Sequence, residues 1–234
     1  MRTRKKKWTA RELAQNPRVI RDMAEYARKL RGFFNDGLPI HLELGCGKGQ
    51  FIARMATRHP EAHFVAVERD PTILAAAARL SASLNAPVLF FMLDAKTLAE
   101  VFVPGDIARL YVNFCDPWQG KKKWAKRRLT HRNFLEIYDR LEIPEIFFKT
   151  DNRELFAFSL ESFSENGWKL RNISLDLHRA AREGADAGDA NAVARDADDD
   201  AVAVTTEYEE KFSALGQPIY RLETYKTHIK PIDK

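Results

Sequence analysis

Cysteine is scarce: Cys46 and Cys115 are the only two in 234 residues. Two thiols cannot build a disulfide framework or a structural zinc set, so small stapled domains and zinc modules are excluded. Both fall in segments that read as active-site loops, and a reduced pair in a cytoplasmic protein is expected. The six histidines add no metal signal. His41, His59 and His63 sit at strand or helix edges without a ligand-like cluster, and no metal is expected. No stretch approaches the ~18 to 20 apolar residues of a membrane span. The basic start, MRTRKKKWTARELAQ, lacks the apolar run of a signal peptide. A soluble, unexported protein without membrane contact is therefore expected, and no internal repeat points to an array.

What is present is an uneven charge. The net value is +5, but Arg2 to Lys7 and Lys121 to Arg128 are basic clusters, whereas Glu183 to Asp200 is mostly acidic. That asymmetry suggests a polyanionic partner.

From Ile40 onward, short apolar runs alternate with helical patterns. IHLEL precedes FIARMATRH, HFVAV precedes PTILAAAARLSASL, PVLFFML precedes AKTLAEVF, ARLYVNF precedes HRNFLEIYDRL, and EIFFK precedes NRELFAFSLESFSENG. Nearly continuous apolar strands in this alternation predict an α/β, doubly wound, mostly parallel sheet covered on both faces. KLRNISLDLH and QPIYRLETYK predict a closing antiparallel pair, for seven strands in all. Residues 1–38 read as a basic arm and a helix, DMAEYARKLRGFF, appended to one domain over 39–234. Within that domain, the Ala/Asp-rich residues 179–204 predict a long mobile loop.

The first site signal is HLELGCGKGQF, with Glu43 ending a strand and Gly45, Gly47 and Gly49 in the turn into a helix. Glycines there let a ligand approach the backbone at the carboxyl edge of the sheet. A dinucleotide fingerprint fails, because Gln50 stands where the last glycine belongs, and a P-loop fails because Gly49 stands where Ser or Thr is required. The remaining strand ends carry acids: Glu68 in HFVAVERD, Asp94 in FFMLDAKTL and Asp116 in NFCDPW. A single acid at a strand end is often a helix cap, but four at successive strands predict a shared cleft.

The pattern Glu-x-Gly-x-Gly-x-Gly resembles the first motif of class I methyltransferases that bind S-adenosylmethionine. More specifically, NFCDPW with KKKWAKRRLTHRNFLEIY, FKTDNRELFAFSLESF and TEYEEKFSALGQPIYRLE resemble the bacterial tRNA (guanine-N7)-methyltransferase family over Trp8 to Glu223. The resemblance implies a class I methyltransferase fold over 39–234, S-adenosylmethionine as donor, and the variable-loop guanine of tRNA, position forty-six, as acceptor. It assigns the cofactor to Glu43, Gly45, Gly47, Gly49, Glu68, Asp94, Ala95 and Asp116, with Asp116 also central to catalysis. It assigns substrate binding to Asp151 and to Thr206, Glu207, Tyr208 and Glu209. Gln119 and Gly120 depart from the family's Pro-Lys, so Lys121 or Lys122 takes that lysine's place.

Guanine N7 carries a lone pair and no proton, so its methylation needs orientation rather than a general base. Asp116, Asp151 and Glu209 are expected to include acceptors for guanine N1–H and N2–H. Trp118 either stacks on the base or packs the loop beneath it. The cations Lys121, Lys122, Lys123, Lys126, Arg127 and Arg128 are expected to hold phosphates, and the N-terminal arm to order on RNA. A monomer and a homodimer are both compatible with the sequence. The competing readings are a methyltransferase for another RNA or a protein, and an RNA-binding module without turnover.

Overall fold

The computed structural model describes residues 7–22, 25, 30, 32, 34, 36–178 and 204–227. The Arg2 to Lys6 part of the arm and nearly all of the 179–204 loop lie outside the described residues, as does most of the helix expected over DMAEYARKLRGFF.

The described residues open with α1 (Lys7–Gln15) and a two-residue strand, β1 (Val19–Ile20). The alternating units follow: β2 (Ile40–Leu44), α2 (Gln50–Arg58), β3 (His63–Val67), α3 (Pro71–Ser83) and β4 (Val88–Phe91). A short 3-10 turn over Ala95–Glu100 then leads to β5 (Ile107–Asn113). After a second 3-10 turn (Lys122–Arg127) come α4 (Arg132–Arg140), β6 (Glu145–Thr150), α5 (Arg153–Glu165) and β7 (Lys169–Ser174). The described chain closes with α6 (Glu207–Ala214) and β8 (Tyr220–Tyr225).

These strands form one sheet in the order β1-β4-β3-β2-β5-β6-β8-β7. All neighbours are parallel except β6 with β8 and β7 with β8. The expected parallel sheet and closing antiparallel pair are both present, but the sheet has eight strands where seven were expected. The eighth is β1, which covers the edge of β4 with Val19 opposite Phe90. Phe90 N–H donates to Arg18 O at 2.8 Å and Met92 N–H to Ile20 O at 3.0 Å. An otherwise open strand edge is thereby closed by residues ahead of the main domain.

Alternate residues of each strand feed two cores. Leu42, Leu44, Val65, Val67, Leu110, Val112 and Phe148 pack with Phe134, Leu135 and Tyr138 of α4 and with Phe156 of α5. On the other face, Phe64, Ala66, Phe90, Tyr111 and Phe147 pack with Phe51, Ile52 and Met55 of α2 and with Leu74 and Ala78 of α3. Burial on both faces is why the parallel strands are apolar almost throughout. The connections leave β2 toward β3 on one side and arrive at β5 on the other, with Glu43 opposite Tyr111. That reversal opens a crevice at the carboxyl ends of β2 and β5.

Candidate active site

A cleft of ≈ 720 Å³ occupies this crevice. Its glycine wall begins where β2 ends. Gly45 and Gly47 adopt positive φ (+73° and +54°), and a Cβ on either would project into open space, so the backbone is accessible to a ligand there. Gly49 serves another purpose. A Cβ added to it would lie 2.8 Å from the Ala77 Cβ of α3, at φ +77°. It does not line the cleft; it lets α2 start against α3. Gly49→Ala combines overpacking with a disfavoured backbone and is expected to cost about 2–4 kcal/mol, roughly 5–10 °C in Tm. An unchanged thermal midpoint would show that the two helices are not in obligatory contact.

The acids of β3 and β4 reach the cleft. Glu68 accepts the Asp70 N–H on Oε1 at 2.9 Å, while Asp70 caps α3 by accepting from Thr72 and Ile73. Burial raises the Glu68 pKa above its ordinary value. Asp94 caps the following 3-10 turn by accepting the Lys96 N–H at 3.0 Å. Asp94, Ala95 and Glu68 all line the cleft, with Val67, Ile73 and Leu93 as apolar surface between them. Each acid commits one oxygen to its own loop, which fixes the carboxylate for a ligand.

Glu43 is placed differently from expectation. It is 2% exposed and lies beneath the cleft. Its Oε1 accepts from Asn113 Nδ2 at 3.0 Å, while Oε2 is buried without a hydrogen bond. Burial dominates, so its pKa is pushed up to about 7 despite the Asn113 bond and the Lys149 charge. The physical reason is register: Glu43 pairs with Tyr111 inside the sheet, one residue short of the strand's end.

Asp116 is exposed and lines the cleft. Two aromatic residues in left-handed conformation flank it, Phe114 at φ +49° and Trp118 at φ +45°. Bulky residues take that conformation only where their surroundings enforce it. The enforcement is visible. Phe114 N–H donates to Lys149 O at 2.9 Å, and Arg128 Nε donates to Pro117 O at 2.8 Å. The Arg127 guanidinium lies 4.7 Å from the Trp118 ring centroid. Burial pushes the neighbouring Cys115 thiol up to about 12. Cys46 is likewise a buried free thiol with a raised pKa.

The fourth wall is α6. Thr206 and Glu209 form a reciprocal capping box at its start. Tyr208 lines the cleft, half exposed, and stacks on Phe114 with ring centroids 6.2 Å apart. Arg54 of α2 donates to Thr205 and to Glu210 Oε1 at 2.6 Å, and Lys48 of the glycine turn pairs with Glu207. The deepest tie is Lys149 Nζ to Glu209 Oε2 at 3.1 Å, with the two side chains 4% and 0% exposed. His178 Nε2 lies 2.8 Å from the other Glu209 oxygen. Burial alone would raise the Glu209 pKa, but the His178 bond and the Lys149 charge outweigh it and hold the carboxyl below its ordinary value.

The model of a family described as "Putative methyltransferase" matches residues 38–222. A protein named tRNA (guanine-N(7)-)-methyltransferase from Bacillus subtilis (strain 168) is 43% identical over 227 residues, covering 95% of this chain and 98% of that one. One of the same name from Listeria monocytogenes serotype 4b (strain F2365) is 43% identical over 229 residues, covering 95% and 97%. The chain belongs to the tRNA (guanine-N7)-methyltransferase family. Solved structures share its fold at low identity. The 16S rRNA methyltransferase KamB superposes with TM-score 0.55 at 14% identity, over 88% of this chain and 93% of that one. A 16S rRNA (adenine(1408)-N(1))-methyltransferase variant from Catenulisporales acidiphilia gives 0.54 at 13%, over 90% and 94%.

For this member of the tRNA (guanine-N7)-methyltransferase family, the structure gathers Gly45, Gly47, Glu68, Asp94, Ala95, Asp116 and Tyr208 around one cleft. It does not bring Glu43, Gly49, Asp151, Thr206, Glu207 or Glu209 to the lining. Asp151 is half-buried just past β6, where Asn152 caps α5 by accepting the Leu155 N–H. Thr206 is buried as the α6 cap, and Glu207 faces Lys48. Glu209, expected as an acceptor for guanine, is instead the buried anchor of α6.

Trp118 lines the cleft, with the Arg127 guanidinium over its ring. Of the six cations after it, Arg127 and Arg128 brace that loop. Lys121 lies over the Trp124 ring at 5.6 Å, and Lys123 and Lys126 are exposed. Phe114, Lys149, His178, Lys48 and Arg54 are parts of the site's support that the residue patterns did not single out. The Thr-x-x-Glu spacing of Thr206 and Glu209 was a readable helix-start signal. Among the described residues no side-chain group could hold a metal ion, and no helix is long and apolar enough to cross a membrane.

Proposed function

We propose that this chain transfers a methyl group from S-adenosylmethionine to N7 of the variable-loop guanine of tRNA. The observation that carries the reading is the cleft in which Asp116 faces the glycine turn, Glu68 and Asp94, in a chain 43% identical over nearly its whole length to proteins named for that reaction. The cavity suits the donor: a volume of ≈ 720 Å³ lies in the range of small-molecule sites. Glu68 would hold the ribose hydroxyls, and Asp94 with the Ala95 backbone the adenine edge. The accessible backbone at Gly45 and Gly47 would lie along the methionine part. When bound, the donor supplies an activated methyl on a positively charged sulfur.

The chain's own residues then have a positioning task. Guanine N7 has no proton to lose, so Asp116 acts as a hydrogen-bond acceptor that orients the base. Holding two reactants in line can be worth up to ~7 to 11 kcal/mol of barrier, and that is the larger part of what this site provides. Tyr208 closes the acceptor side with an aromatic face. Lys121, Lys123 and Lys126, which follow Trp118 in the chain, would serve as phosphate contacts that fix the tRNA without reading its sequence.

The test is transfer of radiolabelled methyl to a tRNA transcript, with a second transcript whose variable-loop guanine is replaced by 7-deazaguanine. Label on the first and none on the second is expected. Equal labelling of both would place the methyl elsewhere and overturn the assignment.

A further inference from the structure

Arg69 follows Glu68 directly, in the loop between β3 and α3, and lines the cleft although it is largely exposed. Its guanidinium lies 5.9 Å from the Trp118 ring centroid, and that of Arg127 lies 4.7 Å from the same ring. Trp118 is therefore the meeting point of a loop that ends the donor-side strand β3 and a loop that follows the acceptor-side strand β5. It also holds φ +45°, a conformation that a tryptophan keeps only under external restraint. The restraints on Pro117 and Trp118 from Arg127 and Arg128 come from the loop's own downstream segment, and those on Phe114 from Lys149 O and Tyr208. Arg69 is the contact to Trp118 that reaches across from the donor side.

We propose that Arg69 is a positioning residue that couples donor binding to acceptor binding by stacking on Trp118. Contact of the donor's ribose with Glu68 holds the adjoining Arg69 against Trp118, and with it the Asp116 loop that receives the base. Such coupling is reciprocal: a bound donor tightens tRNA, and bound tRNA tightens the donor by the same factor. The inference rests on the methyl-transfer reading above.

The experiment compares wild type, Arg69→Ala and Arg69→Lys. The tRNA Kd is measured with and without saturating S-adenosylhomocysteine, together with steady-state methyl transfer. In wild type the nucleoside is expected to tighten tRNA by about fivefold, the size of one cation–π contact at a partly exposed site. Arg69→Ala should reduce that ratio to about one while melting within a few degrees of wild type. Arg69→Lys should recover only part of it, because an ammonium lacks the guanidinium's flat stacking surface. Should Arg69→Ala fail to fold, Arg69→Gln keeps a polar, unbranched stem without the guanidinium or its charge and is expected to lose the coupling equally. A wild-type ratio of one, or a full ratio in a folded Arg69 variant, overturns the inference. If wild type methylates tRNA and only the coupling result is contrary, this inference alone fails. If wild type binds the nucleoside but methylates no tRNA, the functional reading fails and carries this one with it.

Discussion

Asp116→Asn should lower kcat by about 100-fold at saturating tRNA and donor. The carboxylate is a two-oxygen acceptor, exposed in the cleft and held between Phe114 and Trp118. An amide of the same shape offers one acceptor and presents a donor to guanine N1–H or N2–H. Losing a charge-assisted hydrogen bond costs about 1.5–3 kcal/mol, and the upper end corresponds to that hundredfold change. Because Asp116 also borders the donor's part of the cleft, the Kd for S-adenosylhomocysteine is to be measured alongside by calorimetry. The expected pattern is a modest loss of nucleoside affinity and a large loss of turnover. Full turnover in Asp116→Asn would remove Asp116 from the orientation of the base.

The second large effect is on stability. Lys149→Met leaves the Glu209 carboxylate, 0% exposed, with His178 as its remaining ionic partner and the capping N–H of Thr206 at 3.4 Å. Removing one member of a buried pair costs about 3–5 kcal/mol because the other charge stays behind, which is roughly 10 °C in Tm for a chain of this size. The loss should spread to function, since α6 carries Tyr208 into the cleft. The double variant Lys149→Met, Glu209→Met should recover much of the midpoint, because an apolar pair of similar volume removes the stranded charge. A single variant that melts with wild type would mean that Arg54 and Lys48 alone hold α6. A Glu209 variant with normal stability but a raised KM for tRNA would return Glu209 to the substrate site.

These outcomes mark where the sequence was legible. The alternation of IHLEL, HFVAV, LYVNF and EIFFK with helical periods identified the doubly wound sheet, because strands buried on both faces must be apolar throughout. Val19–Ile20 was not legible as a strand, since two residues carry no period and its pairing with β4 is decided only by the free edge beside it. The cleft acids divide on the same kind of ground. Glu68, Asp94 and Asp116 follow their strands and reach the cleft. Glu43 lies within its strand and is buried, and sequence spacing alone does not separate a carboxylate at the rim from one a residue below it.

Glu209 was assigned to the substrate by the family resemblance of TEYE, which carries no information on what the carboxylate faces in the fold. Only the tertiary arrangement, which brings Lys149 and His178 to it, makes it an anchor. The basic run after Trp118 divides similarly, with Arg127 and Arg128 committed to aromatic and carbonyl contacts, Lys121 over the Trp124 ring, and Lys123 and Lys126 exposed. Which cation does which task depends on planarity and reach, and those emerge only once the loop is folded.

The most direct measurement is a crystal structure with S-adenosylhomocysteine bound. The account predicts the ribose on Glu68, the adenine against Asp94 and Ala95, and the sulfur over the Gly45–Gly47 turn, facing Asp116. A nucleoside lodged in the separate groove beside Trp8 and Arg79, or a sulfur turned away from Asp116, would contradict it.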